Sequence, residues 1–329
     1  MSMLMIVTLF ALCALVIVVS GARLSYYGDV IAERSGLGQA WVGVIAMASV
    51  TSLPELVTGV SASIIGAPEI AAGDVVGSCL FNLLILGVLD LLSPKPLFHR
   101  LRPVHTLSAA LGAILLLALA ASILTASRWP SIGWVGAPSI VLFGGYMMAV
   151  RSIYNYEHTH DQVAESEGLG ERYAHLSLKS ALWRYAGTAV VLVGAAANLP
   201  GLAVRFAEAT GLAQGFVGTA FVALSTSLPE VVVSLAAMRL GAWDMAVANV
   251  LGSNMFNVAI FAVDDVFFTD GPIFAAVSQG HAITAIAAAT MSAIVIVGLT
   301  ARPPRLFGRV SWTLVGLTAI YLTATWLAL

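Results

Sequence analysis

The sequence predicts an all-α membrane protein with ten transmembrane helices built from two five-helix repeats of inverted topology. Three observations support this prediction: an apolar composition, ten segments of bilayer length, and two similar stretches at a fixed offset. Of the 329 residues, 59% are hydrophobic and 10% are charged, and the mean hydropathy is +0.94. About a quarter of the residues in a soluble domain are usually charged. An ordinary soluble fold is therefore excluded, and the lipid bilayer is the expected surrounding.

Ten apolar segments are long enough to cross a bilayer, for which a helix needs about 20 residues. The predicted spans are 3–22, 41–65, 70–92, 104–126, 131–150, 181–200, 213–238, 244–268, 275–300 and 310–328. Helices are predicted because an open sheet leaves backbone groups unpaired in lipid, and the alternation typical of transmembrane barrels is absent. The first span lacks the basic flank and cleavage motif of a secretory signal, so we interpret it as a retained helix.

The basic residues lie almost entirely in one set of loops between these spans. That set holds thirteen Lys and Arg residues, whereas the opposite set holds only Arg128 and Arg205. Cytoplasmic loops carry the excess of Lys and Arg in membrane proteins. The distribution predicts that both termini lie outside and that the polar stretch 151–180 is a cytoplasmic linker. The basic residues form no patch typical of a nucleic-acid interface.

The linker separates two halves of similar design. Residues 1–150 are the predicted first repeat, and residues 181–329 are the second. Within them, segments 43–92 and 218–267 match at an offset of 175 positions. The first matching segment starts on the cytoplasmic side and the second starts outside, so the halves are predicted to be inverted relative to each other.

Each matching segment contains the motif TSLPE, at residues 51–55 and 226–230. A proline inside a helix removes a backbone donor, so both helices are predicted to be kinked at membrane depth. The carbonyls expected to be freed are those of Ala48, Val50, Ala223 and Ser225. A carboxylate in a membrane segment is costly without a partner and marks a functional site by default. Glu55 and Glu230, at matching places, therefore suggest one shared site.

A polar stripe follows each motif on the next helix, because residues four positions apart share a helical face. The two stripes are Asp74, Ser78 and Asn82 in the first repeat, and Asn249, Ser253 and Asn257 in the second. Hard cations such as Ca²⁺ prefer carboxylate, carbonyl and water oxygens. Two carboxylates neutralise one divalent ion, and the same oxygens can alternately hold Na⁺ or protons.

The paired TSLPE motifs and the GS-x-x-F-N segments at 77–82 and 252–257 resemble the alpha-repeats of the sodium/calcium exchanger group within the cation/calcium antiporter superfamily. The resemblance covers both repeats and agrees with the helix count. It implies a secondary active antiporter rather than an enzyme. Such a protein transports Ca²⁺ and Na⁺, and no cofactor is expected.

The resemblance also implies roles for individual residues. It places Ca²⁺ ligands at Thr51, Glu55, Thr226 and Glu230, and Na⁺ ligands at the Ser78 and Ser253 side chains and the Ala48 and Ala223 carbonyls. The predicted site further includes Ser52, Ser227, Asn82, Asn257 and Asp74.

The chain departs from the family pattern at Asn82 and Asn257, because sodium-coupled members often carry Asp at one of these positions. The coupling ion therefore stays open between Na⁺, the main expectation, and H⁺, and counter-transport of another divalent cation is also open. The asparagines fit ligation and interhelical hydrogen bonding equally well. Asp74 fits ion binding as well as a helix-start role.

Other function classes lack support in the sequence. The chain has no HExxH motif, and no histidine inside a span can serve Ser78 or Ser253 as a base. An inverted repeat favours alternating access over a channel. Asp90, Asp264 and Asp265 fall toward helix ends, where we expect interfacial water or loop arginines to meet them. The compact linker is typical of a prokaryotic inner membrane protein, and both a monomer and a homodimer remain open.

Overall fold

The computed structural model describes residues 2–161, 173, 176–210 and 224–327, and most of them are helical. The main helices are α1 (Met3–Ser35), α2 (Gln39–Thr51), α3 (Leu53–Ile64), α4 (Pro68–Leu92), α5 (Val104–Leu124), α6 (Ala137–Asp161), α7 (Leu178–Ala196), α8 (Leu199–Thr210), α9 (Leu228–Arg239), α10 (Trp243–Phe267), α11 (Gly280–Ala301) and α12 (Trp312–Leu327). A short helix, Ile273–Ala276, precedes α11, and 3₁₀ turns cover Leu97–His99 and Ala126–Arg128.

Two short antiparallel hairpins lie at the starts of α6 and α12. β1 (Ser131–Ile132) pairs with β2 (Val135–Gly136), and β3 (Arg305–Phe307) pairs with β4 (Val310–Ser311). Each hairpin ends directly before its helix, so both helices begin later than their predicted spans.

Several helices have the length and composition of membrane spans. Among the described residues these are α1, α4, α5, α10 and α11, and α2 with α3 forms a sixth if the bent pair is counted as one. α12 is apolar but shorter. The predicted span 213–238 is described only from residue 224 onward, so its first part lies outside the described residues.

α1 is longer than the sequence predicted. It continues past residue 22 to Ser35 and ends at Gly36, which has a left-handed φ of 69°. Glycine accepts this conformation without a steric penalty and commonly ends helices. Arg23 and Arg34 lie within α1, so these charged residues do not end the helix.

The proline motif breaks the second predicted span, as expected. α2 and α3 meet at Ser52 with a bend of 44°. Just before the break, α2 contains a π-helical turn at Gly43–Met47. Such turns are rare and occur frequently at functional sites.

α10 lies at the centre of the bundle. It packs against α2, α3, α4, α5, α6 and α9. Its apolar stretch is 89% buried, whereas that of α1 is 17% buried. α1 packs along α7, α8 and α9 at the side of the bundle. At Gly252 of α10, an added Cβ would lie 2.6 Å from the Val44 backbone, so only glycine permits this approach.

We expected interfacial water or loop arginines to meet Asp90, Asp264 and Asp265. This was wrong, because all three side chains are buried and the ion pairs found between described residues include none of them. Asp265 accepts hydrogen bonds from Gly136 N and Ile273 N, both at 2.7 Å, and Asp90 accepts one from Leu97 N at 2.7 Å. Both side chains are buried. These carboxylates hold connecting loops through backbone N–H groups, which a buried carboxylate needs when no water reaches it.

Candidate cation-binding site

Glu55 and Glu230 each lie in the first turn of a helix that begins inside the bundle. Pro54 and Pro229 stand at the start of α3 and α9, where the missing N–H costs nothing and the fixed φ suits a helix. The proline that ends one helix therefore starts the next. The exposed N–H groups of a helix N-terminus favour negative charge beside them.

The predicted side chains that the structure describes are almost completely buried. Those with no exposed surface are Thr51, Ser52, Glu55, Ser78, Asn82, Thr226, Ser227, Glu230, Ser253 and Asn257. Asp74 is 7% exposed. The predicted ligand Ala223 lies outside the described residues.

Hydrogen bonds join the two glutamates to serines of both repeats. Ser52 Oγ of the first motif donates to Glu230 Oε1 of the second at 2.9 Å, and Ser253 Oγ approaches the same oxygen at 3.4 Å. Ser78 Oγ approaches Glu55 Oε1 at 3.5 Å and accepts from Ser227 Oγ at 3.2 Å. The two motifs therefore meet in one place.

The motif threonines contact equivalent positions of the opposite repeat. Thr226 Oγ1 donates to Asp74 Oδ1 at 3.3 Å, and Thr51 Oγ1 donates to Asn249 Oδ1 at 3.4 Å. Positions 74 and 249 correspond at the offset of 175, so the two contacts are related by the repeat. They differ in charge, because the first is a carboxylate and the second an amide.

Several polar atoms of this cluster have no hydrogen-bond partner among the described residues. They include Glu55 Oε2, Glu230 Oε2, Asp74 Oδ2 and both amide atoms of Asn82 and Asn257. The ion pairs found between described residues join Arg102 to Glu157, His105 to Asp244 and His281 to Glu69, so none reaches the two motif glutamates. An unpaired buried charge is very costly. A bound cation or a bound proton would remove this cost.

The Ala48 carbonyl is not free, contrary to the expectation from the proline. It accepts a hydrogen bond from Ser52 N at 3.0 Å, and Thr51 Oγ1 lies 3.3 Å from it. The reason is that Pro54 lacks the donor for the carbonyl four residues earlier, which is that of Val50. Thr51 Oγ1 thus connects a backbone carbonyl to the side-chain cluster.

The donor set is mixed. Among the residues that the structure describes, no three His, Cys, Asp or Glu side chains group as a metal centre. Carboxylate, hydroxyl and amide oxygens come together instead, which suits hard cations of the Ca²⁺ and Na⁺ type.

Two contacts near the site were not foreseen. Asn249 Nδ2 donates to Ser234 Oγ at 3.0 Å, and Asn254 Nδ2 donates to the Cys79 carbonyl at 3.1 Å. The repeat offset was the available signal for the second contact, since Cys79 and Asn254 occupy equivalent positions. The first had no signal, because position 59 of the first repeat is glycine.

Comparison with known proteins agrees with this geometry. The family model described as "Sodium/calcium exchanger protein" matches residues 5–151 and 180–328. The chain belongs to the sodium/calcium exchanger family. Its matched regions include both TSLPE motifs and both polar stripes.

Individual relatives are similar to the chain over most of its length. An uncharacterised membrane protein of Methanocaldococcus jannaschii is 30% identical over 72% of this chain and 76% of its own length. The sodium/calcium exchanger MaX1 of Methanosarcina acetivorans is 28% identical over 76% of this chain and 79% of its own. The solved structure of the sodium-calcium exchanger NCX_Mj aligns over 98% of both chains with a TM-score of 0.74 and 22% identity, which supports the shared fold.

Proposed function

We propose that this chain is a secondary active antiporter that exchanges Ca²⁺ for Na⁺ across a membrane by alternating access. The single observation that carries the proposal is the buried meeting of Glu55 and Glu230, each with one unpartnered oxygen, among hydroxyls of both repeats. Family membership supports the choice of ions. In this proposal the ten spans form two inverted five-helix repeats around the site.

Exchange follows from competition for the same oxygens. Ca²⁺ neutralises the two glutamates, and Na⁺ does the same when it replaces Ca²⁺. A neutralised site can pass between its two orientations, whereas an empty, doubly charged site is held back by the cost of moving unpaired charge through a low dielectric. The proposed moving elements are α1 and α7, which pack along each other at the side of the bundle.

A specific observation favours H⁺ as the second candidate for the coupling ion. Glu55 and Glu230 each lie against serines of the two repeats, and Asp74 accepts a hydrogen bond from Thr226 of the second motif, so three acids lie around the same two motifs. Interacting acids bind protons as a group and not independently. Both motif asparagines are neutral, so the site lacks the extra carboxylate that sodium-coupled members often have. The alternative function is exchange of Ca²⁺ for H⁺ or for another divalent cation, and the vesicle uptake experiment described below distinguishes it from exchange for Na⁺.

The proposed location is a prokaryotic inner membrane, with both termini outside and the linker 151–180 in the cytoplasm. The distribution of Lys and Arg over the loops supports this orientation. The archaeal relatives include one named as a membrane protein.

The test is Ca²⁺ uptake into vesicles reconstituted with the purified protein. An outward Na⁺ gradient, a pH gradient, or neither is imposed, and radioactive Ca²⁺ is counted inside. We expect uptake with the Na⁺ gradient alone to exceed the gradient-free level at least tenfold. Glu55→Gln and Glu230→Gln should each reduce it to background, because each removes one of the two glutamates proposed to neutralise the divalent ion.

Glu69→Gln is the matched control. Glu69 is more than half exposed and pairs with His281 at 2.7 Å, away from the central cluster. We expect this variant to retain uptake within twofold. Uptake driven by pH and not by Na⁺ would assign H⁺ as the coupling ion, and near-normal exchange by either central variant would contradict the site.

A further inference from the structure

Asp264 is a buried carboxylate that the proposed central site does not use. Its side chain has no exposed surface, and neither of its oxygens has a hydrogen-bond partner among the described residues. It follows Asn257 by seven positions on α10, which is two helical turns, so the two side chains share a face of the helix. That face carries the polar stripe of the second repeat.

The carboxylate of Asp264 lies directly against the backbone of α3 at Gly59. A Cβ added at position 59 would overlap both oxygens of Asp264, so only glycine leaves room for them. Gly59 follows Glu55 by four residues, about 6 Å along the helix axis at about 1.5 Å per residue. Asp264 therefore lies one turn of α3 beyond the central glutamate.

Asp264 is connected to the central acids through Asp74. On the α3–α4 hairpin, Gly59 lies seven residues before Gly66 and Asp74 eight residues after it, so Asp74 lies at the level where Asp264 meets Gly59. Asp74 Oδ1 also accepts a hydrogen bond from Thr226 Oγ1 of the second motif at 3.3 Å. Asp74 also keeps one oxygen, Oδ2, buried without a hydrogen-bond partner among the described residues. The acids thus extend away from the centre from Glu55 and Glu230 through Asp74 to Asp264.

The equivalent positions across the repeat offset form no such extension. The counterparts of Asp264, Gly59 and Asp74 are Leu89, Ser234 and Asn249. Asn249 Nδ2 donates to Ser234 Oγ at 3.0 Å, and Leu89 is buried and apolar. All three equivalents are neutral. In inverted repeats equivalent positions face opposite sides of the membrane, so the charge difference distinguishes the two sides.

We propose that Asp264 and Asp74 form a second cation position between the central site and one membrane face, with no equivalent toward the other face. The position takes a divalent cation such as Ca²⁺, because two carboxylates balance its charge and water completes its oxygen shell. The face is the one where α3 ends and α4 begins, which the loop charges assign to the outside. The transport consequence rests on the proposed function, but binding at this position does not.

Equilibrium Ca²⁺ binding to purified protein tests the position without transport. The double variant Glu55→Gln/Glu230→Gln removes the central charge, and isothermal calorimetry then measures what remains. We expect one weak Ca²⁺ site in the double variant and its loss, by at least tenfold in affinity, when Asp264→Asn is added. Asp264→Leu is the second variant, since leucine occupies the equivalent buried position in the first repeat.

Asp265→Asn is the matched control at the same depth. Asp265 is bonded to backbone N–H groups and to Ser139 Oγ, so its loss should lower thermal stability without removing the residual Ca²⁺ site. Residual binding unchanged by both Asp264 variants would overturn the proposal, as would a double variant that binds no Ca²⁺ at all.

Transport measured separately from each side of the membrane tests how this second position affects exchange. In vesicles with the protein inserted in one orientation, Asp264→Asn should raise the half-saturating Ca²⁺ concentration at least fivefold on one side and less than twofold on the other. An equal change on both sides would show a general structural role and overturn the assignment to one face. If the wild-type chain binds Ca²⁺ in an Asp264-dependent way but exchanges none, the proposed function fails while this site stands.

Discussion

Cys79 and Asn254, which occupy equivalent positions of the two repeats, hydrogen bond to each other's backbone carbonyls. Asn254 Nδ2 donates to Cys79 O at 3.1 Å, and Cys79 Sγ approaches Asn254 O at 3.7 Å. The two contacts join α4 to α10, the helices that carry the serines bonded to the two glutamates.

Removing the polar group of Asn254 should weaken the contact between these two helices. We expect Asn254→Ala to destabilise the fold by about 0.6 kcal/mol for the lost interhelical hydrogen bond, plus a packing term for the removed atoms. Cys79→Ala should cost less, because the thiol is a weak donor at a longer distance. Thermal unfolding in detergent measures both variants, and a larger loss for Cys79→Ala would contradict the assignment.

Close packing at Gly252 should tolerate no side chain. A Cβ there would lie 2.6 Å from Val44 Cα, so Gly252→Ala forces α2 and α10 apart beside the π-helical turn. Overpacking of this kind costs about 1–3 kcal/mol, and we expect a lower unfolding temperature and slower exchange. Gly112→Ala is the control, since its Cβ would meet Met255 at an ordinary 3.6 Å. Similar effects of the two substitutions would argue against the close approach.

Loss of the Ser52 hydroxyl should weaken cation binding without abolishing exchange. Ser52 Oγ donates to Glu230 Oε1 at 2.9 Å and so orients the carboxylate. We expect Ser52→Ala to raise the half-saturating Ca²⁺ concentration several-fold, while Glu230→Gln removes uptake. Ser61→Ala, at an exposed serine that bonds only its own helix, should leave the concentration unchanged. An unchanged half-saturating Ca²⁺ concentration in Ser52→Ala would show that Glu230 does not need this hydrogen bond to bind the cation.

A carboxylate placed at Asn257 should strengthen competition by Na⁺. The amide atoms of Asn257 are buried without a hydrogen-bond partner among the described residues, so an ionised Asp there gains most from a bound cation. We expect Asn257→Asp to lower the Na⁺ concentration that half-inhibits Ca²⁺ uptake by at least threefold. Asn82→Asp tests the equivalent place in the first repeat. Unchanged Na⁺ inhibition in both variants would place these residues outside the Na⁺ path.

Much of the site could be predicted from the sequence because the same motifs occur twice at a fixed offset. The proline beside each glutamate predicted a broken helix, and the structure has a 44° bend at Ser52. The four-residue spacing predicted that Ser78 and Ser253 face the motifs, and each lies within 3.5 Å of a motif glutamate. The full length of α1 could not be predicted, because a charged residue limits the apolar segment but does not end a helix.

The sequence by itself determined the apolar helical class, the duplicated proline and glutamate motifs, and the polar face of each following helix. Only the tertiary structure decided that Ser52 bonds Glu230 of the other repeat and that Asp264 lies against Gly59. Periodicity fixes which side of one helix is polar, because that depends on bonds between residues a turn apart. Contacts between residues some 180 or 200 positions apart depend on how two helices approach, which close packing of small residues such as Gly252 sets.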